Sequence, residues 1–141
     1  MSVLVVGTVA FDSIETPSGS AERILGGSAS YFALAASFFT SVRIVGVIGQ
    51  DFPQEYLDLF SQRKIDLEGL RRENGDTFHW RGRYHEDINV RDTLELHLNV
   101  LAGFVPDLPA GADSRIKSMA HWVKRSVAWP GGSIVSWFNR M

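Results

Sequence analysis

Cysteine is absent from the 141 residues, which excludes disulfides and thiolate metal sites. A basic excess is absent too: 14 Lys/Arg stand against 16 Asp/Glu, a formal charge of −2, and no electrostatic footprint points to nucleic acid. The N-terminus, Met1-Ser2-Val3-Leu4-Val5-Val6-Gly7, lacks the basic region and cleavage site of a signal peptide and reads as a buried strand. No uninterrupted apolar run is long enough to span a bilayer. Internal repeats and low-complexity segments are likewise missing. These absences predict a soluble, cytoplasmic protein without membrane or nucleic-acid partners.

What is present is enough apolar sequence, 45%, to bury a core. Charge is unevenly spread. Residues 1–111 carry nine Lys/Arg and fifteen Asp/Glu, a net −6, whereas 112–141 carry five and one, a net +4. Three of the four tryptophans, Trp122, Trp129 and Trp137, fall in that last stretch. The shift in composition predicts a boundary near Gly111. Ile116, Ala120, Val123 and Val127 share one helical face of the tail, but Pro130-Gly131-Gly132 cuts it short, and a loosely docked or disordered tail is expected.

Patterning orders the rest. Val3 to Val6 reads as a buried β-branched strand ending at Gly7, and Val42 to Ile48 as a second core strand closed by Gly49. Gly26-Gly27 opens a helix to about Phe39. Its apolar residues nearly encircle it and predict thorough burial. A second helix begins at Asp51-Phe52-Pro53, with Asp51 as N-cap and Pro53 in the first turn. Strand, helix, strand, helix predicts a parallel sheet with right-handed crossovers. Residues 13–25 suit a small ribbon or loop. Two later segments alternate with period two: one places Phe78, Trp80 and Tyr84 on a face, the other Leu94, Leu96 and Leu98. They predict half-exposed strands over 77–84 and 93–100, joined by the polar turn His85 to Asp92.

Two features point to chemistry. A glycine pair at 26–27 permits a sharp turn and close ligand approach, and the amides of the following helix point back at it. Asp12, just past the first strand, either solvates a loop or contacts a ligand. Alternation sends His79 and Trp80 to opposite faces, so His79 and His85 read as exposed strand histidines rather than metal ligands. Asn89 and Arg91 read as a solvated turn.

Taken in order, Val5-Val6-Gly7 with Asp12, Leu25-Gly26-Gly27-Ser28-Ala29, Val45 to Phe52 and Lys64 to Leu70 resemble the N-terminal part of the ribokinase-like (PfkB) carbohydrate kinases, over about residues 3–109. The resemblance implies an α/β fold, a partial three-layer α/β/α sheet domain in residues 1–111 with a small β-sheet lid from about 14–25 and 77–98, followed by an unaligned tail, 112–141. It implies an ATP- and Mg²⁺-dependent transfer of the γ-phosphate to a sugar hydroxyl, or to a nucleoside. It also implies a substrate site of Asp12, Gly26, Gly27, Ser28 and Tyr31. The family often has Asn where Tyr31 stands and Lys or another polar residue where Ser28 stands.

The family's Asp-Thr-x-Gly-Ala-Gly-Asp-like segment, which supplies the anion hole and catalytic base, has no match, and Ala110-Gly111-Ala112-Asp113 is only an echo of it. No catalytic or ATP-binding residue is therefore assigned, and the chain is expected to be a truncated, inactive kinase whose tail arises from a frameshift or gene-end artefact. The other class of reading is a non-catalytic sugar-binding or dimerisation module, with lid sheets pairing between subunits.

Overall fold

The β-branched runs pair as their burial demands. β1 (Ser2–Val6) lies parallel to β4 (Ser41–Ile48), with Val5 opposite Ile44 and Val6 opposite Val45. Between them in sequence come β2 (Ala10–Thr16), β3 (Gly19–Gly26) and helix α1 (Ser28–Ala36). Helix α2 (Gln54–Gln62) then crosses to β5 (Asp66–Arg72), parallel to β4, which completes a sheet ordered β1-β4-β5. Val5, Val42, Ile44, Ile48, Phe52, Phe60 and Ile65 pack into one apolar cluster with Ala29 and Ala33 of α1. The computed structural model describes residues 2–107. The compact unit carrying this fold ends at Phe104. The expectations for the basic, Trp-rich tail and for residues 110–113 lie outside the described residues.

The second sheet is mixed and ordered β3-β2-β6-β7. β2 and β3 form an antiparallel hairpin, β6 (His79–Tyr84) runs parallel to β2, and β7 (Arg91–His97) returns antiparallel to β6. The predicted ribbon and the two alternating segments thus belong to a single sheet. Among the described residues no helix is long and apolar enough to cross a membrane.

Several expectations change. Helix α1 stops at Ala36 rather than Phe39, because the Ser37 hydroxyl donates to Leu34 O at 2.7 Å and Phe39 N to Ala36 O at 2.9 Å, tightening the last turn. Nor is α1 well buried. Its small residues Ala29, Ser30 and Ala33 face the sheet, while Tyr31 and Phe32 are more than half exposed and Phe39, beyond its end, is 89% exposed. Only the stripe that meets β1 and β4 loses water.

Asp51 does not cap α2; Pro53 holds that position and the helix starts at Gln54. The second alternating strand ends at His97, and residues 99–103 turn into a 3-10 helix that begins with Asn99 at φ 49°. β5 was not foreseen. The register shifts between Arg43 and Val45, opposite Asp66 and Gly69, so an extra residue in β5 breaks the period-two pattern that reveals a strand.

Candidate functional site

Asp12 lies within β2, not in a loop beyond a strand. Its neighbours in the alternation are Ala10 and Ile14, on the face of the sheet that also carries Ile24, Trp80 and Gly82 through register pairing. The carboxylate packs directly on the Cα of Gly26, where any side chain would collide with it. Among the described residues no donor bonds to that carboxylate, and burial pushes its pKa above the ordinary aspartate value. A half-buried carboxylate that takes no bond from the described residues keeps its acceptor capacity unused.

Tyr31, on the exposed side of α1, reaches back so that its hydroxyl donates to Leu25 O at 2.9 Å. Its pKa is raised first by burial of the phenol and then by the charge of Asp12, with Tyr56 and Tyr84 adding to the effect. Asp12, Gly26 and Tyr31 are therefore brought together.

Gly27 and Ser28 have a different part. Gly27 sits at φ 93°, and a Cβ there would strike the carbonyl of Thr8. Thr8 also takes the first amides of α1. Ser28 N donates to Thr8 Oγ1 at 3.0 Å, Ala29 N donates to Thr8 O at 2.9 Å, and the Ser28 and Thr8 hydroxyls stand 3.2 Å apart. The expectation of free amides aimed at the turn thus fails for Ser28 and Ala29: Thr8 already satisfies them. Thr8 was not singled out from the sequence, where a lone Thr between Gly7 and Val9 carries no helix-capping pattern.

The carboxylate's sheet is fixed to the core sheet by a second cluster. Asp51 Oδ1 accepts from Thr77 N and Thr77 Oγ1, both at 2.7 Å, while Asp51 Oδ2 pairs with Arg23 Nη2 at 2.6 Å. Thr77, fully buried, accepts in turn from Gly49 N at 2.9 Å, and Asn99 Nδ2 donates to its carbonyl at 2.9 Å. Burial opposes the charge on Asp51, yet the bonds from Thr77 and Arg23 outweigh it and hold the carboxyl below the ordinary value. The Arg23 guanidinium also lies 4.3 Å over the Phe11 ring, which stacks on Phe52 at 5.6 Å.

His79 Nε2 lies 2.8 Å from the Ser13 hydroxyl and stacks across the strands on His97; His85 pairs with Asp92 at 2.9 Å in the exposed turn. Asn89 bonds to Asp87, as a solvated turn requires, but Arg91 stands 5.8 Å over Trp80. Among the described residues no group of three His, Asp or Glu side chains is placed to hold a metal ion.

No family model matches the chain. A cytidine kinase of Thermococcus kodakarensis is 32% identical over 107 residues, which cover 75% of this chain and 38% of that protein. In fold, the chain is similar to the Burkholderia thailandensis nucleoside kinase in complex with inosine, at a TM-score of 0.60 and 22% identity over 72% of this chain and 37% of that one. It is also similar to a ribokinase of Cryptococcus neoformans in complex with ADP, at a TM-score of 0.55 and 19% identity over 77% and 38%. The chain thus spans well under half the length of these relatives. In sequence and in fold, the chain corresponds to the N-terminal portion of the ribokinase-like kinases.

Proposed function

We propose that this chain supplies the acceptor side of an ATP-dependent kinase that phosphorylates a hydroxyl of a sugar or nucleoside. The observation that carries this reading is the Asp12 carboxylate, half-buried, without a hydrogen-bond donor among the described residues, and seated on Gly26. A carboxylate accepts from two vicinal hydroxyls at once, and such charge-assisted bonds are the stronger kind. Gly26 leaves room for that approach. Gly27, held on Thr8, fixes the turn that carries Gly26, with Ser28 completing the anchor. Tyr31 borders the carboxylate. The four-stranded sheet covers the acceptor as a lid. The relatives' cytidine kinase name, bound inosine and bound ADP support a polyhydroxylated acceptor and a nucleotide donor.

The test is a thermal shift of the purified chain with ribose, fructose, cytidine and inosine, comparing the natural protein with Asp12→Asn. A bound acceptor raises the melting temperature in proportion to ln(1 + [L]/Kd). Asp12→Asn is expected to abolish the shift and to raise the melting temperature of the unliganded protein. The second effect follows from the sign of the pKa change: burial disfavours the charged form, so ionised Asp12 weakens the fold at neutral pH and a neutral isostere relieves it. A ligand shift that survives in the variant sinks the assignment.

A further inference from the structure

We infer that Arg23 is a positioning residue for the acceptor site: an extra residue in β3 whose side chain ties the four-stranded sheet to Asp51 and so fixes where Asp12 stands. This rests on the reading of Asp12 as the group that takes the acceptor's hydroxyls.

The ladder between β2 and β3 does not need Arg23. Ala10, Phe11 and Asp12 face Gly26, Leu25 and Ile24, and beyond them Ile14, Glu15 and Thr16 face Ala21, Ser20 and Gly19. Glu22 and Arg23 are left opposite Ser13 alone, a bulge of one residue. Glu22 fills the regular place, since its carboxylate lies 3.4 Å from Arg81, the register partner of Ser13. Arg23 is therefore the inserted residue. Its φ of 50° is a left-handed conformation that disfavours any residue with a Cβ.

The reach of the side chain accounts for the insertion. Nη2 pairs with Asp51 Oδ2 at 2.6 Å, and the guanidinium lies 4.3 Å over the ring of Phe11, the residue before Asp12. The backbone is pinned as well, with Arg23 N donating to Ser13 Oγ at 3.0 Å. Asp51 lies between β4 and α2, on the side of the core sheet. Its other oxygen accepts from Thr77, just ahead of β6. In the order β3-β2-β6-β7, β2 with Asp12 thus runs between the two strands that this one carboxylate holds.

The site needs that tie because its parts come from both sheets. Asp12 belongs to the four-stranded sheet. Tyr31 belongs to α1, whose Ala29 and Ala33 pack into the core cluster around β1 and β4. How Asp12 meets Tyr31 depends on how the two sheets are held. Thr77 holds the β6 side, and Arg23 holds the β3 edge. Arg23 acts through Phe11 and Asp51 rather than by touching the acceptor.

Calorimetric titration of residues 1–141 with ribose, cytidine and inosine tests this in four forms: natural, Arg23→Gly, Arg23→Lys and a deletion of Arg23. Arg23→Gly removes the tie and suits the left-handed backbone, so the fold is spared. The deletion removes the tie and leaves an unbroken ladder with Asp12 still opposite Ile24. Both are expected to weaken whichever acceptor the natural chain binds by about five- to tenfold, the factor set by one partly exposed ion pair and one ring contact. Arg23→Lys keeps a cation for Asp51 and is expected to restore most of that loss. A second readout needs no ligand. Carbon-13 NMR titration of the Asp12 carboxyl is expected to show its raised pKa falling toward the ordinary aspartate value in Arg23→Gly and in the deletion, as the untied sheet admits water. Circular dichroism confirms that each form is folded.

Natural affinity in either Arg23→Gly or the deletion overturns the inference, as does an Asp12 titration that is the same in all four forms. Binding by Arg23→Lys as weak as by Arg23→Gly also overturns it, since the cation then has no part. Failure of the underlying reading is distinguishable: the natural chain binds none of the three ligands, while the Asp12 titration alone decides whether Arg23 positions that carboxylate.

Discussion

Two aspartates in this molecule illustrate how the same side chain serves opposite ends. Asp12 is left unpaired and its pKa rises with burial; Asp51 is saturated with donors and its pKa falls despite burial. The first keeps its acceptor capacity unused among the described residues and the second is a joint. The joint's bonds are unequal. Arg23 and Asp51 form a partly exposed ion pair, with side-chain exposures of 49% and 21%, the kind that contributes up to about 1 kcal/mol. The bonds to Thr77 serve a fully buried residue, and removing their acceptor strands an N–H and a hydroxyl at about 1–3 kcal/mol each. Arg23→Ala is therefore expected to lower unfolding stability by about 1 kcal/mol, including its lost contact with Phe11, and Asp51→Ala by about 3 kcal/mol. Urea denaturation measures both; equal costs would show that the ion pair, not Thr77, makes the joint. From sequence, Asp51 was legible only as a turn-former before a helix. Its real partners lie 26 and 28 residues away, beyond any local pattern.

Strands and helices were readable where the apolar period is unbroken. β1, β4, β6 and β7 follow from their alternation or their β-branched runs, with ends displaced by a few residues. β5 was hidden by the bulge opposite Val45, and the extent of α1's burial was misjudged because apolar content says nothing about how many neighbours are there to cover it. The pairing of β2 with β6 was not readable either. It sets Asp12 beside Trp80 across 68 positions of sequence, a juxtaposition no local pattern carries.

The lid sheet's other face holds a pH-sensitive contact that belongs to the element rather than to the site. Ser13 Oγ accepts from Arg23 N at 3.0 Å and so has its proton free for His79 Nε2, at 2.8 Å, which favours a neutral imidazole. Burial first, then the nearby Arg23 and His97, depress the His79 pKa. A depressed histidine stabilises the fold above its unfolded pKa of about 6.5 and loses that contribution as pH falls through the folded value. The melting temperature is expected to drop between pH 7.5 and pH 5.5 by more in the natural chain than in His79→Gln, which keeps an acceptor for Ser13 without titrating. Identical pH dependence in the two proteins would assign the drop to other groups.

At the scale of the whole molecule, Asp12, Gly26, Tyr31, the Thr8 anchor and the Asp51 cluster all fall within residues 8–99, inside the compact unit that ends at Phe104. Phosphoryl transfer, however, is mostly positioning and charge neutralisation around the donor, with metal ions and cationic or amide groups on the transferring phosphate. The described residues bring together a carboxylate, a fixed glycine turn and aromatic rings, and among them no trio of metal-ligating side chains. The matched residues span 38% of the Thermococcus relative's length.

The proposed acceptor role of Asp12 makes a prediction in which binding and phosphate transfer are measured apart. Residues 1–141 on their own are expected to bind a sugar or nucleoside with the Asp12 dependence proposed above, yet to transfer no label from γ-³²P-ATP to cytidine, inosine or ribose, with Mg²⁺ supplied. On the proposed reading, binding belongs to the face of the β3-β2-β6-β7 sheet that carries Asp12, and transfer to a separate donor site. Acid-stable labelled product that disappears in Asp12→Asn would overturn that separation and place a working donor site within these 141 residues.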